Sequence, residues 1–163
     1  MTEFTHLDGE GRVRMVDVSD KDSTRRKAVA VGRISMSKDT LALILDQNIK
    51  KGNVLEAARI AGVMAAKKTS DIIPMCHPLN LTHVSVDFFP DTRENTIVIE
   101  ASAALTGKTG VEMEALTAVA AAGLTIYDMC KSYDKEMIIS DIHLKSKSGG
   151  KSGTFMAKRY GER

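Results

Sequence analysis

Aromatic side chains are scarce in this chain, with four Phe, three Tyr and no Trp among 163 residues. Sheet-type readers of single-stranded RNA stack bases on aromatics displayed along their strands, so a platform of that kind is not expected here. Cysteine is scarcer still. Cys76 and Cys130 lie far apart and form no C-x-x-C pair, which excludes a disulfide framework and fits a reducing compartment. Charge of one sign is not in excess either, since 23 basic residues face 21 acidic ones for a formal +2. The balance alone therefore implies no general nucleic-acid or membrane surface. Long apolar runs are missing too. The opening MTEFTHLDGEGR is polar and lacks the apolar segment of a secretory signal, and no run approaches the ~18 residues that would span a bilayer. Together these features predict a cytoplasmic protein.

What is present begins with two nucleotide-like tripeptides, Gly107-Lys108-Thr109 in LTGKTGVEMEALT and Gly150-Lys151-Ser152 in KSGGKSGTF. A P-loop also needs a glycine five residues before the Gly-Lys pair, so that backbone N–H groups can wrap a phosphate. Ser102 and Lys145 stand at those places. Neither tripeptide qualifies.

The length predicts one domain over 1–163, enough to bury roughly 70% of the unfolded surface. It carries a polar arm over 1–24 and a glycine-rich basic tail over 145–163. The arm holds one short extended piece, VRMVDV. KAVAVGRISM reads as a strand, with Ile34 and Met36 on one face and Val29 and Val31 on the other. TLALILDQNI places Leu41, Ile44 and Leu45 at helical spacing, and Asn53 with Glu56 forms the capping-box pattern of a second helix through VLEAARIAGVMAAKK. LTHVSVDFF and NTIVIEASA alternate around the turn PDTREN, making a hairpin. A long helix follows from near Gly110 to about Lys131, roughly 22 residues or 33 Å, with Thr109 and Glu112 spaced as its capping box. EMIISDIHLK is the last strand, with Ile138, Ile142 and Leu144 on one face.

The order β, α, α, β, β, α, β predicts an α+β fold of the ferredoxin-like split βαβ type with one additional helix on an antiparallel sheet. Several strands are apolar on both faces, so a homo-oligomer is the natural cover for the second face.

Several residues could carry chemistry. His77 stands between Pro74 and Pro78 in IIPMCHPLN, where the following proline favours an extended backbone and a fixed ring direction; alone, a solvated loop histidine is the commoner case. Cys76 and His77 point to opposite sides of such a backbone, which argues against a metal site. Asp128 sits among Leu124, Ile126 and Met129 in the last turn of the long helix. An apolar setting and the negative end of the helix dipole would both push its carboxyl upward. Lys131 shares its face, as in an ordinary i,i+3 ion pair. Glu114 returns to nearly the same angular position but lies roughly 21 Å away along the axis, so both can serve one small ligand only from different subunits. Lys51 precedes the Asn53 helix start, Arg26 lies in DSTRRKAV, and Lys145, Lys147 and Lys151 surround the tail glycines. Singly, each is ordinarily a solvated surface charge. Jointly they suggest a polyphosphate ligand held without a P-loop.

The segments MVDVS, KGNVLEAARIAGVMAAKKTSDIIPMCHPL, LTGKTGVEMEALTAVAAAGLTIYDMCK and KSGGKSG together closely resemble the cyclic pyranopterin monophosphate synthases, the C proteins of molybdenum-cofactor biosynthesis. The similarity extends over nearly the whole chain. The resemblance implies a ferredoxin-like homohexamer, a trimer of dimers, with active sites between subunits. It implies conversion of 3′,8-cyclo-7,8-dihydroguanosine 5′-triphosphate to cyclic pyranopterin monophosphate with release of pyrophosphate. By the same resemblance Asp128 is the active-site acid or base, assisted by Lys131, and Lys51 handles phosphates or protons. Met75, Cys76 and His77 line the substrate pocket, Met113 and Glu114 contact substrate, and Arg26 and Lys147 handle phosphates. No cofactor is required, no nucleic acid or membrane partner is implied, and Mg²⁺ stays open because the sequence carries no dedicated cage of carboxylates. The alternative is a non-catalytic regulatory module that binds an anionic nucleotide and leaves it unchanged.

Overall fold

The computed structural model describes Leu7 and residues 9–160. The remaining positions hold the outer end of the arm and the last tail residues, and the readings made there lie outside the described part. Five strands form one antiparallel sheet in the order β2-β3-β1-β4-β5: β1 Thr24–Ser35, β2 His83–Asp91, β3 Thr96–Gly107, β4 Ile138–Ser148 and β5 Phe155–Met156. The first four have the ferredoxin-like arrangement, and β5 adds a two-residue edge strand from the tail. Four helices accompany them, α1 Lys38–Leu45, α2 Val54–Ala66, α3 Thr69–Ile72 and α4 Glu112–Cys130.

The core lies between the sheet and the pair α2 and α4. Alternation puts Ala28, Ala30 and Ile34 of β1 and Ile97, Ile99, Ala101, Ala103 and Leu105 of β3 on the helix side, all buried. Ile126 and Val119 of α4 fill the layer against them. Small residues set the close approach of the two helices. A Cβ on Gly62 of α2 would lie 2.9 Å from the Ala118 carbonyl oxygen of α4, so glycine is what permits contact at that distance.

Local signals explain most boundaries. Asn53 caps α2 by accepting from the Glu56 amide at 3.2 Å, while the Glu56 carboxylate turns to Arg59. The β2–β3 turn is held by Asp91, whose Oδ1 accepts from Arg93 and Glu94, and by Asn95 at φ 49°. Pro90 is tolerated because β2 is an edge strand.

The arm pairs through an isolated bridge between Leu7 and Val13. Three expectations are corrected. Leu45 is exposed, one residue past the buried stripe of Leu41 and Ile44. Ile138 does not share a face with Leu144, because the pairing with β1 shifts register around Asp141, itself at φ 54°. Ile138 pairs with Ser35 on the outer face, whereas Ile139 and Leu144 pack on the core. Finally, α4 starts at Glu112 behind Val111 with no side-chain cap, so the Thr109–Glu112 box does not form. The Glu112 carboxylate instead accepts from Lys147 Nζ at 2.8 Å, a charge-assisted bond that outcompetes a solvent-accessible backbone amide.

The sheet face opposite the helices carries Val29, Val31 and Val98 around a Lys145–Glu100 ion pair of 2.6 Å. No helix among the described residues is long and apolar enough to cross a membrane.

Candidate active site

Two cavities open at the end of the sheet where α4 begins. The larger, about 500 Å³, lies between β1, the β3–α4 connection and the turn after β4. Six basic side chains line it, Lys21, Arg26, Lys27, Lys108, Lys147 and Lys151, against two acidic ones, Asp22 and Glu112. Both Gly-Lys tripeptides reach this one cavity, Lys108 and Thr109 from one wall and Gly150, Lys151 and Ser152 from the other. They make no P-loop, yet jointly they concentrate positive charge at glycine turns. Gly149 and Gly150 are needed there. Their φ values are 98° and 73°, and a Cβ on Gly149 would lie 2.2 Å from the Arg25 carbonyl oxygen. Arg26 is aimed by two backbone carbonyls, its Nε donating to Gly107 at 2.9 Å and an Nη to Lys108 at 3.1 Å.

The second cavity, about 330 Å³, is lined by Met75, Cys76, His77, Met113 and Glu114 together with Val16 and Val18 of the arm. The two cavities share Lys21, Thr109, Gly110 and Glu112 along their boundary. His77 lies just after the Ile73–Cys76 turn, and its Nε2 donates to the Val16 carbonyl at 2.9 Å. That bond leaves Nδ1 of a neutral ring as an acceptor. Glu114 is 3% exposed. Burial pushes its carboxyl up, with Glu112 beside it adding to the effect. Cys76 is pushed up as well, by burial first and then by Glu114.

A third cluster sits at the other end of α4. Asp128 takes Lys131 Nζ at 2.7 Å and Lys51 Nζ at 3.6 Å, and Lys51 also donates to the Asp128 backbone carbonyl at 2.8 Å. Here the expected upward shift is overturned. The hydrogen bond and charge of Lys131, then the charge of Lys51, hold the Asp128 carboxyl below its usual range, while Asp128 raises Lys131 in return. The side chain is 62% exposed, because about 200° of helix rotation separates it from buried Ile126. Lys51 therefore serves the negative end of α4, and not the start of α2.

The structure thus brings together Arg26, Lys147, Met75, Cys76, His77, Met113 and Glu114 at one end, and Lys51, Asp128 and Lys131 at the other. Within one chain the two groups stay apart, because 14 residues of helix span roughly 21 Å. Lys145 leaves the tail cluster for Glu100 on the outer sheet face. No group of three or more His, Cys, Asp or Glu among the described residues is arranged to hold a metal.

The MoaC family model matches residues 15–150. The chain belongs to the MoaC family. It is 76% identical to the cyclic pyranopterin monophosphate synthase of Desulforapulum autotrophicum over 99% of both chains. It is 67% identical to that of Desulfatibacillum aliphaticivorans, over 96% of this chain and 98% of the relative, and 58% identical to that of Heliobacterium modesticaldum over the same shares.

The cavity residues not named as site candidates from the sequence include Val16, Val18, Lys21, Lys27 and Lys108. Lys108 had a signal, since it stands inside the rejected tripeptide. Val16 and Val18 stand in MVDVS, one of the segments that carry the family resemblance, but their place in the cavity depends on the docking of the arm on His77 and Lys108, which are distant in sequence.

Proposed function

We propose that this MoaC-family chain converts 3′,8-cyclo-7,8-dihydroguanosine 5′-triphosphate to cyclic pyranopterin monophosphate and pyrophosphate, as a phosphorus–oxygen lyase of cytoplasmic molybdenum-cofactor biosynthesis. One observation carries the proposal: a cavity lined by six basic side chains opens onto a second cavity lined by His77 and the buried Glu114. A triphosphate suits the first, and a polar heterocycle on a sugar suits the second.

In this reading Arg26 and Lys147 neutralise the phosphates, and the cationic cavity stabilises pyrophosphate as it leaves. Met75, Cys76 and Met113 enclose the purine-derived ring. His77 Nδ1 accepts a hydrogen bond from it, and Glu114, which holds its proton more readily than an exposed glutamate, donates one. Closure of the cyclic phosphate forms a bond from a ribose-derived hydroxyl oxygen to the α-phosphorus and breaks the α–β bridge. Pyrophosphate leaves with the electron pair, and the hydroxyl proton ends on it or on solvent. Asp128, Lys131 and Lys51 move protons while the ring is opened and rebuilt. Lys131 starts charged and serves as the acid, and Asp128 is the carboxylate that takes a proton. Any Mg²⁺ would arrive on the substrate's phosphates.

The proposal needs two chains for each site, as in a homohexamer built as a trimer of dimers. Incubation with the cyclised nucleotide should release pyrophosphate and a fluorescent oxidisable pterin; nucleotide bound but recovered unchanged would favour a binding-only module. Glu114→Ala and Asp128→Ala chains should each be inactive, and dissociating, mixing and reassembling them should restore activity. About a quarter of randomly assembled sites would carry neither lesion. Mixtures as inactive as the parents would refute the shared site.

A further inference from the structure

The boundary between the two cavities is itself a chemical position. Among the described residues Lys21 is the one lysine or arginine that lines both. It is delivered there by a stitched segment of the arm. The Val16 carbonyl accepts from His77 Nε2 at 2.9 Å on the second cavity. The Ser19 carbonyl accepts from Lys108 Nζ at 2.5 Å on the first. Between them the Ser19 amide donates to Asp17 at 2.8 Å, and the Lys21 amide closes a turn onto the Val18 carbonyl at 3.1 Å. The arm is thus fixed to both cavities immediately before it presents Lys21.

Three of the other five basic side chains of the larger cavity are already engaged. Lys147 holds Glu112, Lys108 holds Ser19, and Arg26 holds two carbonyls. The Lys21 ammonium makes no ion pair among the described residues, so its charge is available to a ligand. A lysine on a mobile tail would be an ordinary solvated charge; one held at the junction of a phosphate cavity and a heterocycle cavity meets the phosphate that joins them.

We infer that Lys21 is the substrate-contacting cation at the α-phosphate, the one that becomes cyclic, and that Lys27 and Lys151, which line the larger cavity alone, serve the departing β- and γ-phosphates. This deepens the proposed function and rests on it for the identity of the substrate. The α-phosphorus gains a bond from the hydroxyl and loses its bridge to the β-phosphate, so a cation at this position stabilises the pentavalent species more than the ground state.

The test uses the full chain and two probes, pyrophosphate for the β and γ positions and GTP for all three, followed by calorimetry. Lys21→Ala should leave pyrophosphate affinity within about twofold, weaken GTP about tenfold as expected for one charge-assisted contact, and lower kcat on the cyclised nucleotide about 100-fold. Lys21→Arg should recover part of each loss. Lys151→Ala should weaken both probes alike. Lys21 is exposed, so folding is not at stake in its removal. Equal weakening of both probes by Lys21→Ala, or no change in either, overturns the assignment. Should the probes behave as expected while wild-type protein leaves the cyclised nucleotide intact, the substrate falls and the position of Lys21 stands.

Discussion

Glu112 places a carboxylate inside a cavity lined by six basic side chains, and its removal has a calculable effect on the anion binding proposed there. Lys147 Nζ lies 2.8 Å from Glu112 Oε1. A phosphate oxygen on the other side of that ammonium would sit at a similar distance, which puts the phosphate charge about 6 Å from the carboxylate. At an effective dielectric of about 20 the repulsion is about 3 kcal/mol. The cavity is open to solvent, and salt at about 0.15 M screens over roughly 8 Å, so about half should survive. Glu112→Gln keeps the shape and a hydrogen bond to Lys147 while deleting the charge. Pyrophosphate should therefore bind about tenfold tighter at physiological salt, and the gain should grow as salt is lowered. Titration calorimetry at three ionic strengths measures it directly. Turnover should fall, since a product held more firmly leaves more slowly. Unchanged or weaker pyrophosphate binding by the Gln variant would refute this account and reassign Glu112 as a group that helps to organise the ligand.

Three further outcomes follow from the coordinates. Gly62→Ala should destabilise by about 1–2 kcal/mol, since its Cβ meets the Ala118 carbonyl at 2.9 Å and overpacking outweighs the ~1 kcal/mol helix-propensity gain; Gly123→Ala, facing the side chain of Ile139 at 3.3 Å, should be close to neutral. Equal urea midpoints for the two variants would contradict that difference. The raised carboxyl of Glu114 means the folded chain holds a proton that the unfolded chain has lost in the window above 4.5, so stability falls as pH rises through that window. Glu114→Gln should be more stable than wild type at pH 8 and equal to it below about pH 4.5; the reverse trend in denaturant melts would be decisive against it. Cys130 is fully buried with its thiol pushed up to about 11, so Ellman's reagent at pH 8 should leave it unreacted until denaturant is added.

The strand and helix order could be read because the two hydrophobic periods barely overlap. Positions 97, 99, 101, 103 and 105 alternate cleanly, and α2 and α4 follow the helical period. Boundaries set by competition between partners were not legible. Thr109 and Glu112 have capping-box spacing, but a lysine 35 positions away claims the carboxylate. Asp128 has apolar neighbours in sequence, yet rotation about the helix axis turns it to solvent and to Lys51, brought in from the α1–α2 turn. The slip at Asp141 is a backbone event with no residue-type signature, since aspartate at positive φ is permitted but not required. The basic cavity was legible only in outline: lysines beside glycines suggested polyphosphate, while the convergence of two distant Gly-Lys pairs on one cavity belongs to tertiary structure alone.

The single element that carries both clusters is α4. Its first turn carries Glu112 and Glu114, where free amides and the positive end of the dipole tolerate carboxylates. Its last turn carries Asp128, with Lys131 and Lys51 gathered at the negative end. Nineteen residues make a rod of about 28 Å, and a packed α-helix cannot fold back to bring its ends together. If both ends act on one substrate molecule, each chain contributes two half-sites, and a two-fold interface completes two whole sites in one step. Helix length then couples catalysis to assembly: inserting or removing a turn in α4 would preserve either half-site while spoiling their registration across the interface.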